Sequence, residues 1–525
     1  MATNFFPPPI TSISELRQSH AHFIKTGLIS DPFSAGRLIS SATAVSPPHS
    51  LSYAHSIFTH LENPNSYSYN ALIRAYANSP TPETSFDLFI KMLFDFKVDP
   101  DKYTYTFVLK ACAAAKSVGF GKQVHGLVIK CGVDDDVYVC NTLIHMYAKG
   151  GFFEIARKVL DEMSERDVIS WNAILSAYVD MGMMELARRL FDEMPERNVE
   201  SGNFMISGYV KDGLVVEARR IFDGMLVKDV VSWNGIITGY ARDGDFDEVF
   251  RLFEDMRKAG MVPDDYTLVN VLSCCASVSG LNQGEWVHGY IDKNGIEVGG
   301  FLATALVDMY SKCGCLDKAL EVFHETKNKD ISTWNSMITG LGLHGFGEPA
   351  LELFHKLVAE GLKPNEVTFV GILSACSRSG LLDEGCNMFE LMVHTHKIKP
   401  TIEHYGCMVD LLGRFGLLNE AEKLAKEVPF EEAQIVWESL LGACRSHNDV
   451  EMAERVTKKL LELDPQDSAG YVQLSNVHAY KGRFSDAIEL RRKMKAQGVY
   501  KAPGCSMIEV DGTVHQFLAG EGMVL

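Results

Sequence analysis

The sequence predicts an all-α protein, built as a right-handed α-solenoid superhelix of stacked helix-turn-helix repeats. Three observations support this fold class. Methionines and alanines recur at intervals of 31 residues: Met163, Met194, Met225 and Met256, and Ala156, Ala187 and Ala218. Apolar residues follow helical spacing within each unit, and a glycine such as Gly182 or Gly213 separates two short helices. A length of 525 residues also exceeds one ordinary core.

The repeat array follows an N-terminal segment, 1–31, which holds a candidate transit peptide and a partial repeat. About twelve repeats are expected, at 32–65, 66–101, 102–136, 137–167, 168–198, 199–229, 230–264, 265–299, 300–330, 331–365, 366–401 and 402–433. Residues 434–525 form a C-terminal extension. Because one helical pair cannot bury its own apolar face, neighbouring repeats must stack, and the stack is expected to leave a concave groove.

Composition limits the classes of partner. The formal net charge of −18 argues against unspecific binding to polyanions, but it is compatible with a local basic stripe. Two long uncharged stretches, 38–61 and 266–284, contain too many polar side chains to span a bilayer, so no membrane partner is expected.

The first 14 residues contain neither acid nor arginine, which slightly favours a plastid transit peptide over a mitochondrial one. An ordinary frayed terminus is the alternative.

Several sequence strings point to a known family. SWNAILSAYV and SWNGIITGYA open two repeats, TLIHMYAKGG and ALVDMYSKCG lie in shorter ones, and LKACAAAKSVGFGKQVHG lies in a longer one. These strings resemble the pentatricopeptide repeat family, in its plant PLS class of alternating motif lengths. After residue 433, VWESLLGACRSHNDVEMAERVTKKLLELDP and KAPGCSMIEV resemble the extension motifs and tail of the E subgroup. Met507 stands at the usual tryptophan of that tail, and we expect no DYW deaminase domain.

The resemblance implies that the fifth residue of a motif and the last residue before the next motif recognise one RNA base together. Their side chains offer the donors and acceptors that distinguish bases. Pairs resembling the family's uridine pair are Asn70 with Asp101, Asn141 with Asp167, Asn203 with Asp229, and Asn234 with Asp264. Asn172 with Asn198 and Asn335 with Asn365 resemble pyrimidine pairs. Thr304 with Asp330 resembles a guanine pair, as does Thr106 with Asp136, although long motifs follow the family code poorly.

The resemblance also implies that the second residue of each motif stacks on bases. Flat or apolar side chains occupy this position at Tyr67, Tyr103, Tyr138, Ile169, Val231, Tyr266 and Phe301. The alternative is that these side chains pack between helices. Glu200 takes the same position in repeat 199–229, where Gly202 also replaces a tryptophan, so we expect a weak contact or a bend there.

Position 13 carries a cation in several repeats: Lys149, Lys211, Arg242, Lys312 and Arg414. It lies ~1100° around the helix from position 2, within ~20° of whole turns, so both side chains share a face. These cations are candidates for contacts to RNA phosphates. The equally weighted alternative is a cation that complements the dipole at the end of its helix.

Sequence motifs for chemistry are missing. The chain has no CxxC, and Cys112, Cys275, Cys376 and Cys444 share position 11 of their motifs, which indicates a packing column. Zinc-dependent cytidine deamination needs HxE with a downstream CxxC, and the HLE at His60 lies inside a repeat without one. We therefore expect no catalytic residue, no cofactor, no metal and no enzymatic activity.

The leading hypothesis is a sequence-specific binder of single-stranded organelle RNA that selects sites for C-to-U RNA editing. The resemblance implies that a DYW-type deaminase and MORF-type editing cofactors act in trans through residues 434–525. One alternative is a factor for RNA stability, splicing or translation. Another is a protein-binding helical scaffold, which the net acidity favours.

Overall fold

The computed structural model describes residues 12–45, 49–94, 98–429, 434–464, 466, 468–501, 504–510 and 513–518. Residues 1–11 of the candidate transit peptide and residues 46–48 of the first repeat lie outside the described residues. The described part consists almost entirely of short paired helices, so the predicted all-α solenoid class is confirmed. It divides into two compact units, with the boundary between Gly239 and Tyr240.

The first unit holds the helices up to most of α14. They are α1 (Ile13–Thr26), α2 (Pro32–Ala44), α3 (His49–Thr59), α4 (Ser66–Ala77), α5 (Thr84–Phe94), α6 (Lys102–Ala114), α7 (Val118–Lys130), α8 (Val137–Lys149), α9 (Phe153–Glu162), α10 (Val168–Asp180), α11 (Met184–Glu193), α12 (Val199–Lys211), α13 (Val215–Gly224) and α14 (Val230–Asp243). A short 3₁₀ turn, Leu28–Ser30, connects α1 to α2.

The second unit continues from the end of α14. Its helices are α15 (Phe246–Lys258), α16 (Asp265–Val278), α17 (Leu281–Lys293), α18 (Gly300–Lys312), α19 (Leu316–Glu325), α20 (Ile331–Leu343), α21 (Gly347–Ala359), α22 (Glu366–Ser379), α23 (Leu382–Glu390), α24 (Ile402–Arg414), α25 (Leu418–Ala425), α26 (Gln434–His447), α27 (Val450–Leu463), α28 (Ser468–Tyr480) and α29 (Phe484–Ala496). A π-helical turn, Leu391–Thr395, follows α23. Across the described helices of both units, none is long and apolar enough to cross a bilayer.

A glycine separates the two helices in most pairs of the repeat array, as predicted. Gly182 follows α10 with a φ of 70°, a conformation that side chains other than glycine adopt only with strain. The Met183 N–H donates to the Tyr178 carbonyl at 2.8 Å, and the Gly182 N–H donates to the Val179 carbonyl at 3.1 Å. These two bonds form a Schellman motif, which satisfies carbonyls at the helix end and turns the chain into α11.

The first helices of successive pairs contact one another. In the first unit these contacts run through α2, α4, α6, α8, α10 and α12, and in the second through α16, α18, α20, α22, α24, α26 and α28. Each first helix also contacts its own partner, so it buries more side chains. Eight of the 13 residues of α10 are buried, but only four of the 10 residues of α11. Burial of apolar surface between repeats therefore holds each stack together.

Aromatic contacts join one repeat to the next. Phe222 packs edge-on against Trp233 with ring centres 4.8 Å apart, and Phe323 packs against Trp334 in the same way at 4.9 Å. Gly202 replaces the tryptophan in α12, which nevertheless continues without interruption from Val199 to Lys211. A Cβ on Gly202 would lie 2.7 Å from the sulfur of Met225. The flexible methionine thus fills part of the space that an indole occupies elsewhere.

One described element is not helical. Strands β1 (Cys505–Val510) and β2 (Thr513–Leu518) pair antiparallel, with Cys505 opposite Leu518 and Val510 opposite Thr513. This hairpin lies in the segment that resembles the family's tail and is not predicted from the sequence.

A close helix approach at Gly342 generates a stability prediction. A Cβ added to Gly342 in α20 would lie 2.8 Å from the Cβ and 3.0 Å from the Cα of Ala375 in α22. Neither atom can rotate away, so we expect Gly342→Ala to lower the free energy of unfolding by about 1–3 kcal/mol. Thermal unfolding followed by circular dichroism should show a lower midpoint.

Gly442→Ala in α26 is the matched control, because no described atom lies within 4 Å of the added Cβ. Alanine favours helix over glycine, so this variant should unfold at the same or a higher temperature. Equal destabilisation by the two substitutions would contradict the steric explanation.

Candidate nucleic-acid interface

The last residue of a predicted repeat caps the first helix of the next. Asp101, Asp167, Asn198, Asp229, Asp264, Asp330 and Asn365 each accept a hydrogen bond, at 2.8–3.0 Å, from the backbone N–H three residues later. Such N-caps satisfy a donor that the helix itself cannot satisfy and stabilise it by about 1 kcal/mol. The second member of each predicted base-recognition pair therefore has a structural role of its own.

The fifth residue of the preceding repeat donates to the same cap in five predicted pairs. In each of these pairs the donor is the Nδ2 of an asparagine. The donor–acceptor distances are 3.0 Å from Asn70 to Asp101, 3.2 Å from Asn141 to Asp167, 3.2 Å from Asn172 to Asn198, 3.1 Å from Asn203 to Asp229 and 3.1 Å from Asn335 to Asn365. The structure brings these side chains together, and their contact with RNA bases stays a prediction.

A hydroxyl group links cap and asparagine at several junctions. Ser232 Oγ lies 2.6 Å from Asn203 Oδ1 and 2.8 Å from Asp229 Oδ1. Thr104 and Thr368 contact the Oδ1 atoms of Asn70 and Asn335, both at 2.7 Å. All three hydroxyl residues are fully buried. They are not predicted from the sequence, although the 31-residue spacing of Ser170, Ser201 and Ser232 is a signal that identifies them.

Thr106 and Asp136 bond to other groups. Thr106 Oγ1 donates to the Lys102 carbonyl of its own helix at 2.8 Å. Asp136 forms an ion pair with Lys102 Nζ at 3.0 Å and caps α8 through the N–H groups of Tyr138 and Val139. This long repeat thus lacks the direct bond that the asparagine pairs form.

Thr304 reaches its predicted partner through a third residue. Its hydroxyl lies 3.1 Å from that of Thr333, which donates to Asp330 Oδ1 at 2.8 Å. A threonine hydroxyl lies one bond closer to the backbone than an asparagine amide, so Thr304 reaches Asp330 only through Thr333. Of the remaining pair, Asn234 lies in the first unit and is buried, while Asp264 lies in the second unit and caps α16.

Hydrogen bonds keep the capping carboxylates ionised. Burial acts to raise the pKa of Asp229, but donors from Asn203 and Ser232 outweigh it and hold that pKa below its ordinary value. Burial is likewise outweighed at Asp167, where Ser170 and Asn141 lower the pKa. These junctions therefore carry negative charge at neutral pH.

Side chains at position 2 lie on the surface. The predicted stacking residues are 43–77 % exposed: Tyr67, Tyr103, Tyr138, Ile169, Val231, Tyr266 and Phe301. This exposure does not agree with burial between helices, and it places them within reach of a planar ligand. Phe33, Val367 and Ile435 occupy the same position and are also exposed, and the repeat register is the signal that identifies them.

The predicted phosphate contacts lie in the last turns of their helices, and some of them form ion pairs. These pairs join Lys149 to Asp180 at 3.4 Å, Lys312 to Asp308 at 2.8 Å and Arg414 to Asp410 at 2.9 Å. All are partly exposed, so they contribute little stability and a phosphate can compete for the cation. Within the described ranges, Lys211 and Arg242 have no carboxylate within 4.0 Å. Both cations lie at the end of a helix. This position suits a contact to an RNA phosphate and also a cation that complements the helix dipole.

The cysteines at position 11 are packing residues, as predicted. Cys112, Cys275, Cys376 and Cys444 are fully buried. Burial raises the pKa of the Cys112, Cys376 and Cys444 thiols to about 12, so these three stay protonated. Considering only the described residues, no group of three or more His, Cys, Asp or Glu side chains is placed to hold a metal ion.

Family models match most of the repeat array. The PPR repeat family model matches 64–114, 166–204, 228–277 and 329–378, and the PPR repeat model matches 138–168, 203–230, 301–331, 367–394 and 403–429. The E motif model matches 447–509. The chain belongs to the pentatricopeptide repeat family. The E motif places it in the E subgroup of the PLS class.

Relatives from Arabidopsis thaliana are similar over almost the whole chain. Pentatricopeptide repeat-containing protein At4g18840 is 62% identical over 492 residues, which cover 94% of this chain and 90% of the relative. Pentatricopeptide repeat-containing protein At2g42920, chloroplastic, is 45% identical, with coverage of 98% and 86%. The crystal structure of the pentatricopeptide repeat protein PPR10 from maize shares the fold, with a TM-score of 0.63, 19% identity, and coverage of 90% and 75%.

His404 replaces the hydroxyl residue in repeat 402–433. It is fully buried, its Nδ1 accepts from the Thr401 N–H at 3.0 Å, and its Nε2 donates to the Glu366 carbonyl at 3.0 Å. Burial lowers the pKa of His404 below its ordinary value of 6.5. The folded protein therefore resists a proton that the unfolded chain accepts.

This difference predicts a pH dependence of stability. The contribution of neutral His404 is complete above about pH 7 and declines as pH falls below the ordinary histidine pKa of 6.5, because only the unfolded state gains the proton. We expect the unfolding midpoint to fall over this range, and to fall less in His404→Thr, which introduces the residue type of Thr368. Exposed His324→Thr controls for removal of a histidine. An unchanged pH slope in His404→Thr would contradict the assignment.

Proposed function

We propose that this protein binds single-stranded RNA sequence-specifically in a plant organelle and selects sites for C-to-U editing. The observation that carries the proposal is the hydrogen bonding of Asn203 and Asn335. In each, Oδ1 accepts from a buried hydroxyl and one amide hydrogen bonds to the cap. Among the described residues, the second amide hydrogen has no acceptor and is left for a base edge. The helices that follow carry exposed position-2 side chains, Val231 and Val367.

Organelle location is part of the proposal. Two relatives, At2g42920 and At1g08070, carry the word chloroplastic in their names. Their similarity supports an organelle for this chain, with a plastid favoured over a mitochondrion.

The editing chemistry is assigned to a second protein. Cytidine deamination needs zinc held in part by CxxC, which these 525 residues do not contain. The E motif at 447–509 lies within the extension. We assign residues 434–525, which include α26–α29 and the hairpin, as the surface for a DYW-type deaminase and MORF-type cofactors. The chain itself needs no cofactor for this role.

The repeats define an order of bases. Taking the predicted repeats as units, those from 66–101 to 331–365 correspond, from RNA 5′ to 3′, to U, G or any base, U, a pyrimidine, U, U, any base, G and a pyrimidine. Val269 in the seventh repeat offers no hydrogen bond, which is why that base is left open.

Asn203→Thr tests the base assignment. It converts the pair with Asp229 into the type formed by Thr304 and Asp330, so preference at the fifth base should change from U to G. One specific base contact discriminates by about 1–3 kcal/mol, roughly five- to 150-fold in affinity. Fluorescence anisotropy with RNAs that differ only at this base measures the change.

Val269→Ala is the matched control and should leave the preference at every base unchanged. A fifth-base preference for U that survives Asn203→Thr would remove the assignment.

Organelle transcripts from plants with and without the protein test the editing role. In plants without the protein, we expect cytidines to stay unedited only where they lie 3′ of a sequence that fits the predicted order of bases. Intact editing at every site would contradict the proposal, and altered transcript ends, splicing or ribosome occupancy would then support the alternative of RNA processing. Failure of the purified protein to bind matching RNA would favour a protein-binding scaffold, in line with the net charge of −18.

A further inference from the structure

Two repeats carry the same base-recognition pair but differ in hydrogen bonding. Both Asn172 with Asn198 and Asn335 with Asn365 are asparagine pairs. The residue two positions after the cap differs, because Glu200 follows Asn198 while Val367 follows Asn365. The two repeats therefore form an internal comparison.

Asn335 keeps a free donor. Its Nδ2 donates to Asn365 Oδ1 at 3.1 Å, and its Oδ1 accepts from Thr368 Oγ1 at 2.7 Å. The oxygen is thus satisfied within the protein. The described part of the chain provides no second acceptor for the amide, so one hydrogen is left for a base.

Asn172 presents the opposite polarity. Its Nδ2 donates to Asn198 Oδ1 at 3.2 Å and to Glu200 Oε2 at 3.0 Å, which uses both amide hydrogens. A carboxylate only accepts, so this contact fixes the orientation of the amide. Asn172 is only 4 % exposed, and its Oδ1 has no partner among the described residues.

The neighbouring hydroxyl does not satisfy this oxygen. Ser201 Oγ lies 2.8 Å from the Asn198 carbonyl and 3.1 Å from Asn198 Oδ1. In the next repeat the equivalent Ser232 bonds to Asn203 Oδ1. The Asn172 junction therefore presents the exposed Glu200 carboxylate as its acceptor, beside the buried and unpaired Asn172 Oδ1, and no free amide donor.

Acceptors favour bases with an exocyclic amino group. Cytosine presents its N4 amino donor, whereas uracil presents the O4 carbonyl at the same place. Opposite Glu200 and Asn172, that carbonyl would face other oxygens and repel them. At Asn335 the free amide hydrogen can donate to a carbonyl, so no such repulsion arises.

We propose that Glu200 is a specificity-determining residue that makes repeat 168–198 select cytosine and reject uracil. This inference rests on the proposed RNA binding and narrows it at one base. Glu200 occupies the position that carries Tyr, Ile, Val or Phe in the predicted stacking set, so it exchanges a stacking surface for a charge.

The test varies the fourth base in 5′-UGUNUUAGU. Fluorescence anisotropy at constant salt should show that the wild-type chain binds the RNA with N as C roughly five- to tenfold more tightly than the RNA with N as U. Glu200→Val, which introduces the residue type of Val231, should bring this ratio close to one. Glu200 is exposed, so the variant should keep the wild-type circular dichroism spectrum.

Val367→Glu supplies the converse variant. It places a carboxylate two residues after Asn365, so a new preference for C over U should appear at the ninth base, while the preference at the fourth base stays as in the wild-type chain. Wild-type protein that binds the two fourth-base RNAs equally, or a C-to-U ratio unchanged by Glu200→Val, overturns the role of Glu200. The fifth base separates this result from a wider failure: if U is preferred there, the proposed RNA binding stands. Protein that binds none of these RNAs better than a scrambled one overturns both.

Discussion

The side-chain N-cap found at most repeat junctions is the contact on which the helix stack and the candidate interface both depend. Asp229 accepts from the backbone N–H of Ser232 and from the amide of Asn203. One carboxylate thereby starts a helix and orients a side chain of the preceding repeat. Charge-assisted bonds of this kind are stronger than neutral ones, so the asparagine is held before any ligand arrives. Pre-organisation of this kind lowers the entropy cost of binding.

Charge has a limited part in the proposed interaction. The protein carries a net charge of −18, and the cations Lys149, Lys312 and Arg414 each lie beside an aspartate. A phosphate must compete with these carboxylates, so attraction to RNA in general is weak. Affinity then depends mainly on base edges and stacking, which only a matching RNA can satisfy.

The helix pairs could be predicted from the sequence because nearby residues determine where each helix starts, turns and packs. Gly182 permits the left-handed turn, Asp167 caps the following helix, and apolar spacing fixes the buried face, so these residues recur together. The same spacing located the asparagine pairs. It did not show which hydrogens of an amide are already bonded, since that depends on side chains from the next repeat.

Contacts across repeats explain the remaining differences. Glu200 reaches Asn172 from the next helix, and Ser232 reaches Asn203 in the same way. Thr106 bonds within its own helix because its side chain is short. The β1–β2 hairpin has no counterpart in the repeats, so periodicity carried no information about it. Prediction was therefore reliable for backbone geometry and incomplete for hydrogen-bond polarity.

The chemistry of the cap has an evolutionary consequence. Asparagine, aspartate, serine and threonine are the side chains that cap helices best, and they also differ in the donors and acceptors they offer. Asp167 and Asn198 show that one of these residues can replace another and still cap its helix. The replacement changes the acceptor to which the asparagine of the preceding repeat is bonded. Under the proposed base recognition, new target preferences are therefore accessible through single codon changes whose intermediates still fold. Such an array can diversify its ligands quickly under selection without a compensating change elsewhere in the chain.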